Sequence, residues 1–146
     1  MALHKGEIDL IWAPPRDRGV FGRLEAAGIQ IKSVNRGTGH YMLLNHQFKP
    51  FSDVRVRRAI AHAMDRDAIA NHVLGGTAEK WNSLVQKGSF GHTEEGLRRY
   101  EYDPKNAKEL LADAGYASGF EVTFDTMTSP NYLPVATALQ GQLEKV

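Results

Sequence analysis

The chain has 146 residues, 42% hydrophobic and 24% charged, and its eighteen basic against seventeen acidic side chains leave a formal charge of +1. Length and composition fit one folded domain with one core and exclude a disordered or fibrous chain. Near-neutrality leaves no bulk field to gather nucleic acid or an anionic membrane, and the absence of cysteine removes disulfides, thiolate nucleophiles and Cys-ligated metals.

Met1 to Leu10 lack the basic region and apolar stretch of about 7–15 residues that a secretory leader needs, so a leader is expected to be absent from this chain. Ile8 to Ala13 form a short apolar run stopped by Pro14-Pro15, a strand ended by residues that cannot extend a ladder. Val20, Phe21, Leu24 and Ala27 follow at helical spacing, with Gly28 placed as a C-terminal cap. Alternation then predicts a strand over 29–34, and after the turn-rich Asn35 to Gly39 a second run, 41–45, resumes strand character, so a hairpin or a pair of neighbouring strands is expected.

From Phe51 to Ile69 an apolar stripe of Val56, Ala59, Ile60, Ala63 and Met64 is punctuated by charges. Ser52 is expected to cap a helix reaching about Met64, and Asp65 to cap a second that ends at Gly75-Gly76. Periodicity fails from Thr77 to Arg99, a loop long enough to be more often functional than connective. The clearest helix follows, with Asp103 as cap, Pro104 at the first position, Ala107, Leu110, Leu111 and Ala114 on one face, and Gly115 after the last turn. Phe120, Val122 and Phe124 alternate as in a half-buried strand, and a last helix from about Asn131 aligns Leu133, Ala136, Leu139 and Leu143. Strands interleaved with helices predict an α/β or α+β layered domain with a mixed sheet flanked by helices.

Motifs for chemistry are weak. Gly37-Thr38-Gly39 is followed by Met42 where a dinucleotide fingerprint needs glycine, so an ordinary turn is expected and no cofactor. Six histidines include no pair at i, i+4, which predicts no metal site, and no serine sits in Gly-x-Ser-x-Gly, which leaves no catalytic residue to name. Arg55, Arg57, Arg58 and Arg66 are interspersed with Asp53, Asp65 and Asp67. A nucleic-acid helix carries uncompensated charge, so Asp53, Arg55, Arg57, Arg58, Asp65 and Arg66 are expected to form structural ion pairs that lock two consecutive helices.

With these residues in view, the chain resembles the family 5 extracellular solute-binding proteins of ABC transporters, the group of dipeptide, oligopeptide, glutathione and nickel binders. Asn45, Pro50-Phe51, Asp53 to Arg57, Ala59, Ala63 and Asp65-Arg66 match one family block, and Tyr102-Asp103-Pro104, Ala107-Lys108, Leu110-Leu111 and Ala114-Gly115-Tyr116 match a second. Leu3 to Asp9 and Ala138 to Val146 resemble the stretches before and after.

The resemblance implies that residues 1–146 are a single domain, a truncated lobe of a periplasmic-binding-protein-like class II fold and an internal piece of a longer protein. That protein would be periplasmic, or extracellular and membrane-anchored. It would be no enzyme, capturing a peptide-like or other small solute between this lobe and the remaining lobe and delivering it to a membrane permease. Trp81, Asn131 and Tyr132 are the expected ligand contacts, through stacking and hydrogen bonds, whereas Asn45 is expected to be structural. One lobe alone is expected to show no measurable affinity for di- to hexapeptides. A self-standing enzyme or regulatory domain on a related fold is the alternative, and it would aim Asp53, Asp65 and Asp67 into a cavity rather than pair them.

Overall fold

A computed structural model describes residues 2–12, 18–32, 39–95 and 97–146, and six α-helices form among them. They are α1 (Arg18–Ala26), α2 (Lys49–Ser52), α3 (Val54–Ala63), α4 (Arg66–Ala68), α5 (Pro104–Asp113) and α6 (Leu133–Leu143). A π-helical turn, Ile69–Val73, continues α4. The predicted turn at 35–38, the strand end at Ser33-Val34 and Pro14-Pro15 lie outside the described residues.

Local chemistry accounts for the helix ends. The chain is extended at Asp53, whose carboxylate accepts the Arg55 N–H at 2.7 Å and caps α3. The cap is Asp53 and not Ser52, because the Ser52 hydroxyl is spent donating to the Lys49 carbonyl at 2.7 Å and closes α2 instead. Asp65 caps α4 through the Ala68 N–H, as the sequence predicts, and Asp103 caps α5 through the Asn106 N–H with Pro104 in the first turn. At the far end of α5, Gly115 adopts φ +87°, its N–H donates to the Ala112 carbonyl, and the Tyr116 N–H reaches back to Leu111. This Schellman closure carries Tyr116 onto the core.

Helices α3 and α5 lie antiparallel along a seam of small side chains. Val56, Ala59 and Ala63 meet Ala107 and Leu111, with Phe51 closing one end. Three alanines on this seam let the helices approach closely, and Val56 is the largest side chain that is wholly buried. Both ends of the seam are tied. Arg55 donates to the Asp113 carbonyl at 2.6 Å, a cation on the C-terminal end of α5, and the Asp103 N–H donates to the His62 carbonyl at 2.8 Å. A second cluster joins Ile69 to Val135 and Leu139 of α6. There the Gln142 amide accepts the Asp65 N–H and donates to the Asp65 carbonyl.

The mixed sheet expected from the alternating segments is not formed among the described residues. Residues 8–11, 29–32, 41–45 and 120–125 carry neither helix nor ladder. Alternation survives as alternate burial: Met42 and Leu44 turn toward the two clusters, while Tyr41 and Leu43 face outward. A strand becomes a strand only when a neighbour takes its backbone groups, and among the described residues none of these segments has a neighbouring strand. Tyr41, Met42, Leu43, Asn45 and residues 121–125 instead line one open cleft of about 730 Å³. The accessible area is 10702 Å², well above the roughly 7,500 Å² typical of a compact monomer of 16.2 kDa.

Candidate functional site

Two of the three residues expected to contact a ligand, Trp81 and Tyr132, pack on one short segment, Gly39 to Tyr41, which leads into a stretch that packs on the helices. Trp81 lies half-buried against it. A Cβ on Gly39 would fall 2.6 Å from the Trp81 ring, so only glycine admits the indole in this position. The Tyr41 ring centroid is 6.3 Å from that of Trp81, and the His40 imidazole meets the Tyr132 ring edge-on at 5.1 Å. Trp81 and Tyr132, far apart in sequence, thus flank consecutive residues of one segment. Asn131 adjoins Tyr132 at the entry to α6, its N–H on the Ser129 hydroxyl and its side chain at the surface.

Sequence reasoning missed Gly39, His40 and Tyr41. Gly39 read as an ordinary turn, and His40 as one scattered histidine among six. The available signal was a ring pair directly after a glycine and before an apolar alternation. Partial shielding from water lowers the His40 pKa below its usual value, which favours a neutral imidazole able to donate and to accept. Asn45 acts in a turn, its side-chain oxygen accepting the Gln47 N–H and its carbonyl the Phe48 N–H.

The long loop is held by charges. Lys80 bridges Asp67 at 2.7 Å and Glu101 at 3.5 Å, and its pKa is raised chiefly by the bond to Asp67. Next to Trp81, a pocket of about 80 Å³ is bounded by Lys80, His92 and Glu94. His92 shares one ring nitrogen with the Val85 carbonyl and the other with Glu94, whose pKa it lowers. Phe90, at the loop tip, is fully exposed.

The six charged residues expected to pair with one another divide their roles differently. Asp53 and Arg55 pair at 2.6 Å, a fork that holds the Asp53 pKa down to about 2 through the Arg55 side chain first and the Arg55 N–H second. Arg57 donates to the Phe51 and Ser52 carbonyls, and Arg66 to that of Tyr100. Asp65 is occupied as a cap, and the Arg58 Nε is buried with no partner. The backbone carbonyls of Phe51, Ser52 and Tyr100 thus take Arg57 and Arg66 where ion pairs were expected. Asp53, Asp65 and Asp67 all have partners, and none lines the cleft or the pocket beside Trp81.

What the structure gathers at Gly39–Tyr41 is a set of rings beside an amide, the means of recognition by stacking and hydrogen bonds, on a small helical framework. Among the described residues no group of three or more His, Asp or Glu is placed to hold a metal ion, and no helix is long and apolar enough to cross a membrane.

Residues 1–146 match the family described as bacterial extracellular solute-binding proteins, family 5, middle region, and the chain belongs to that family. Membership implies a periplasmic-binding-protein-like fold. The chain is similar to a dipeptide-binding protein of Escherichia coli K12, 33% identical over 111 residues that make up 73% of this chain and 21% of that protein. It is similar to heme-binding protein A of Haemophilus influenzae, 37% identical over 84 residues, 58% of this chain and 15% of that one. A di/tripeptide-binding protein 3 of Pseudomonas aeruginosa is 28% identical over 149 aligned residues, 99% of this chain and 28% of its own length. The chain thus spans between 15% and 28% of the length of these relatives.

Proposed function

We propose that residues 1–146 form one domain, part of a single lobe of the extracytoplasmic substrate-binding component of an ABC transporter, which captures a peptide-like or other small solute for import and performs no catalysis. The family match along the whole chain carries this reading. The names of the relatives, which include dipeptide, di/tripeptide and heme binders, support a solute of that range. In this reading the protein works outside the cytoplasm, hands its solute to a membrane permease, and closes a second lobe over the ligand.

Trp81, Asn131 and Tyr132 contribute to one wall of the ligand cleft, with His40 and Tyr41 holding the two rings in place. The lobe is completed by a mixed sheet whose strands include 41–45 and 120–125. Affinity in such a design comes from closing two walls on the solute and excluding water, so the 146-residue chain alone binds nothing measurable. Isothermal titration of the longer polypeptide with a panel of dipeptides, tripeptides and heme tests the assignment. The reading expects saturable binding of at least one member, with affinity reduced by Trp81→Ala and by Tyr132→Ala. Binding that neither substitution changes refutes the placement of the wall.

A further inference from the structure

The long loop ahead of α5 contains a histidine whose two ring nitrogens both face acceptors. His92 holds Nδ1 2.9 Å from the Val85 carbonyl oxygen and Nε2 3.1 Å from the Glu94 carboxylate, and its side chain is only 16% exposed. A carbonyl brings no proton, and Glu94 stays ionised because its bond to His92 first, and Arg99 in addition, hold its pKa down. A neutral imidazole has one N–H and satisfies one of these oxygens. Its other nitrogen then turns a lone pair on the second oxygen, with little water to screen the two. Only the doubly protonated ring donates to both at once, and its bond to the carboxylate gains from charge on each side.

The two bonds join different parts of the loop. Val85 and His92 are the ends of a compact turn, inside which the Ser89 N–H donates to the Gln86 carbonyl at 3.0 Å and the His92 N–H to the Ser89 carbonyl at 3.1 Å. Glu94 is held from its other side by Arg99, 3.1 Å from its second oxygen. Glu79, Lys80 and Lys87 line the same small pocket as His92, Glu94 and Trp81. Glu79 and Glu94 favour a charge on the ring and Lys87 and Arg99 oppose it, while Lys80 is matched by Asp67 and Glu101.

We infer that His92 is a pH-operated latch: protonated, it ties the Val85 carbonyl to Glu94 and closes the loop from 85 to 92; neutral, it keeps the stronger bond to Glu94 and releases Val85. Histidine changes charge between about pH 5 and 8, so closure is complete on the acid side of that range and is lost as pH rises through it. Trp81 borders the same pocket, so the state of the loop reaches the proposed solute wall. Only that consequence rests on the transport reading; the latch stands or falls on the loop itself.

Amide hydrogen exchange on the full natural polypeptide at about pH 5.5 and about pH 8, corrected for intrinsic rates, tests the latch. The amides of Ser89 and His92 should lose at least about fivefold in protection at the higher pH, with Ala107 in α5 as the reference within each sample. Glu94→Gln should reverse the outcome. Its amide turns the oxygen to Arg99 and the NH2 to a neutral ring, so His92 donates to Val85 without a charge and the loop stays protected at about pH 8. His92→Phe should leave the turn unprotected at both pH values. Equal wild-type protection at the two pH values overturns the inference. So does a pH dependence that survives His92→Phe, which assigns the titration to another group, and so does a Glu94→Gln loop left open at high pH, which makes Glu94 a structural tie alone. Solute plays no part in the readout, so a failure of the transport reading leaves the latch standing.

Discussion

Replacing Gly39 by alanine perturbs the candidate site at its tightest point. The new Cβ would lie 2.6 Å from Cζ3, 3.1 Å from Cε3 and 3.3 Å from Cη2 of Trp81. Carbon atoms rest about 3.5–4.0 Å apart, so the ring has to withdraw by about 1 Å. A neighbourhood that could not yield would bear an overpacking cost of about 1–3 kcal/mol. Trp81 is only half-buried, however, and sits in an irregular loop, so the ring turns off its rotamer at about 0.5–1.5 kcal/mol and leaves Tyr41. With an unfolding entropy of about 2.1 cal/mol/K per residue, this lowers the thermal midpoint by about 2–5 °C. Trp12 is the other tryptophan and is largely exposed, so a Trp12→Phe background isolates the Trp81 emission. The expected result is a red-shifted, more readily quenched Trp81 with a modestly lower midpoint. An unchanged spectrum with an unchanged midpoint refutes the close approach, and an unchanged spectrum with a midpoint more than about 10 °C lower shows that the backbone moved and the ring did not.

Val56→Ala removes two methyl groups from the wholly buried centre of the α3–α5 seam and costs about 2–3 kcal/mol, a fall of about 7–10 °C by calorimetry; a fall under 2 °C contradicts the packing described. Asp53 has its pKa depressed from 3.8 to about 2, so the stability it contributes is fully present above the unfolded value and is lost as pH falls from 3.8 toward 2. Far-UV circular dichroism should show an acid loss of helix in that window, and Asp53→Asn should remove this pH dependence. Arg58→Met replaces a buried, unpartnered Nε by a thioether of similar reach, and urea unfolding should show equal or higher stability; a loss above about 1 kcal/mol means the guanidinium has a partner of consequence.

Much of the helical framework is legible in the sequence because its determinants are local. Asp103-Pro104 and Gly115 mark α5 at both ends by satisfying backbone groups within a few residues, and Asp65 marks α4 likewise. The shift of the α3 cap from Ser52 to Asp53 is one residue, decided by which side chain is left over after α2 closes. The ion pairs were less legible. Charge alternation says that Arg57 and Arg66 need acceptors, but the carbonyls of Phe51 and Tyr100 compete with every carboxylate, and only the folded chain decides between them. The strand character of 41–45 does not say that Met42 and Leu44 turn inward, and ladder pairing depends on partners that no local pattern names. The gathering of Trp81 and Tyr132 on His40 and Tyr41 is nonlocal in the same way, and their separate aromatic character was the only part visible beforehand.

The account stands most directly on calorimetric titration of the 146-residue chain and of the longer polypeptide, side by side, against the same di- and tripeptides and heme. It predicts saturable heat for at least one of these solutes with the longer polypeptide and none with the short chain, because in the proposed reading the wall of Trp81, Asn131 and Tyr132 holds solute only when a second lobe closes on it. Micromolar binding by the short chain, or no binding of any of them by the longer one, contradicts it.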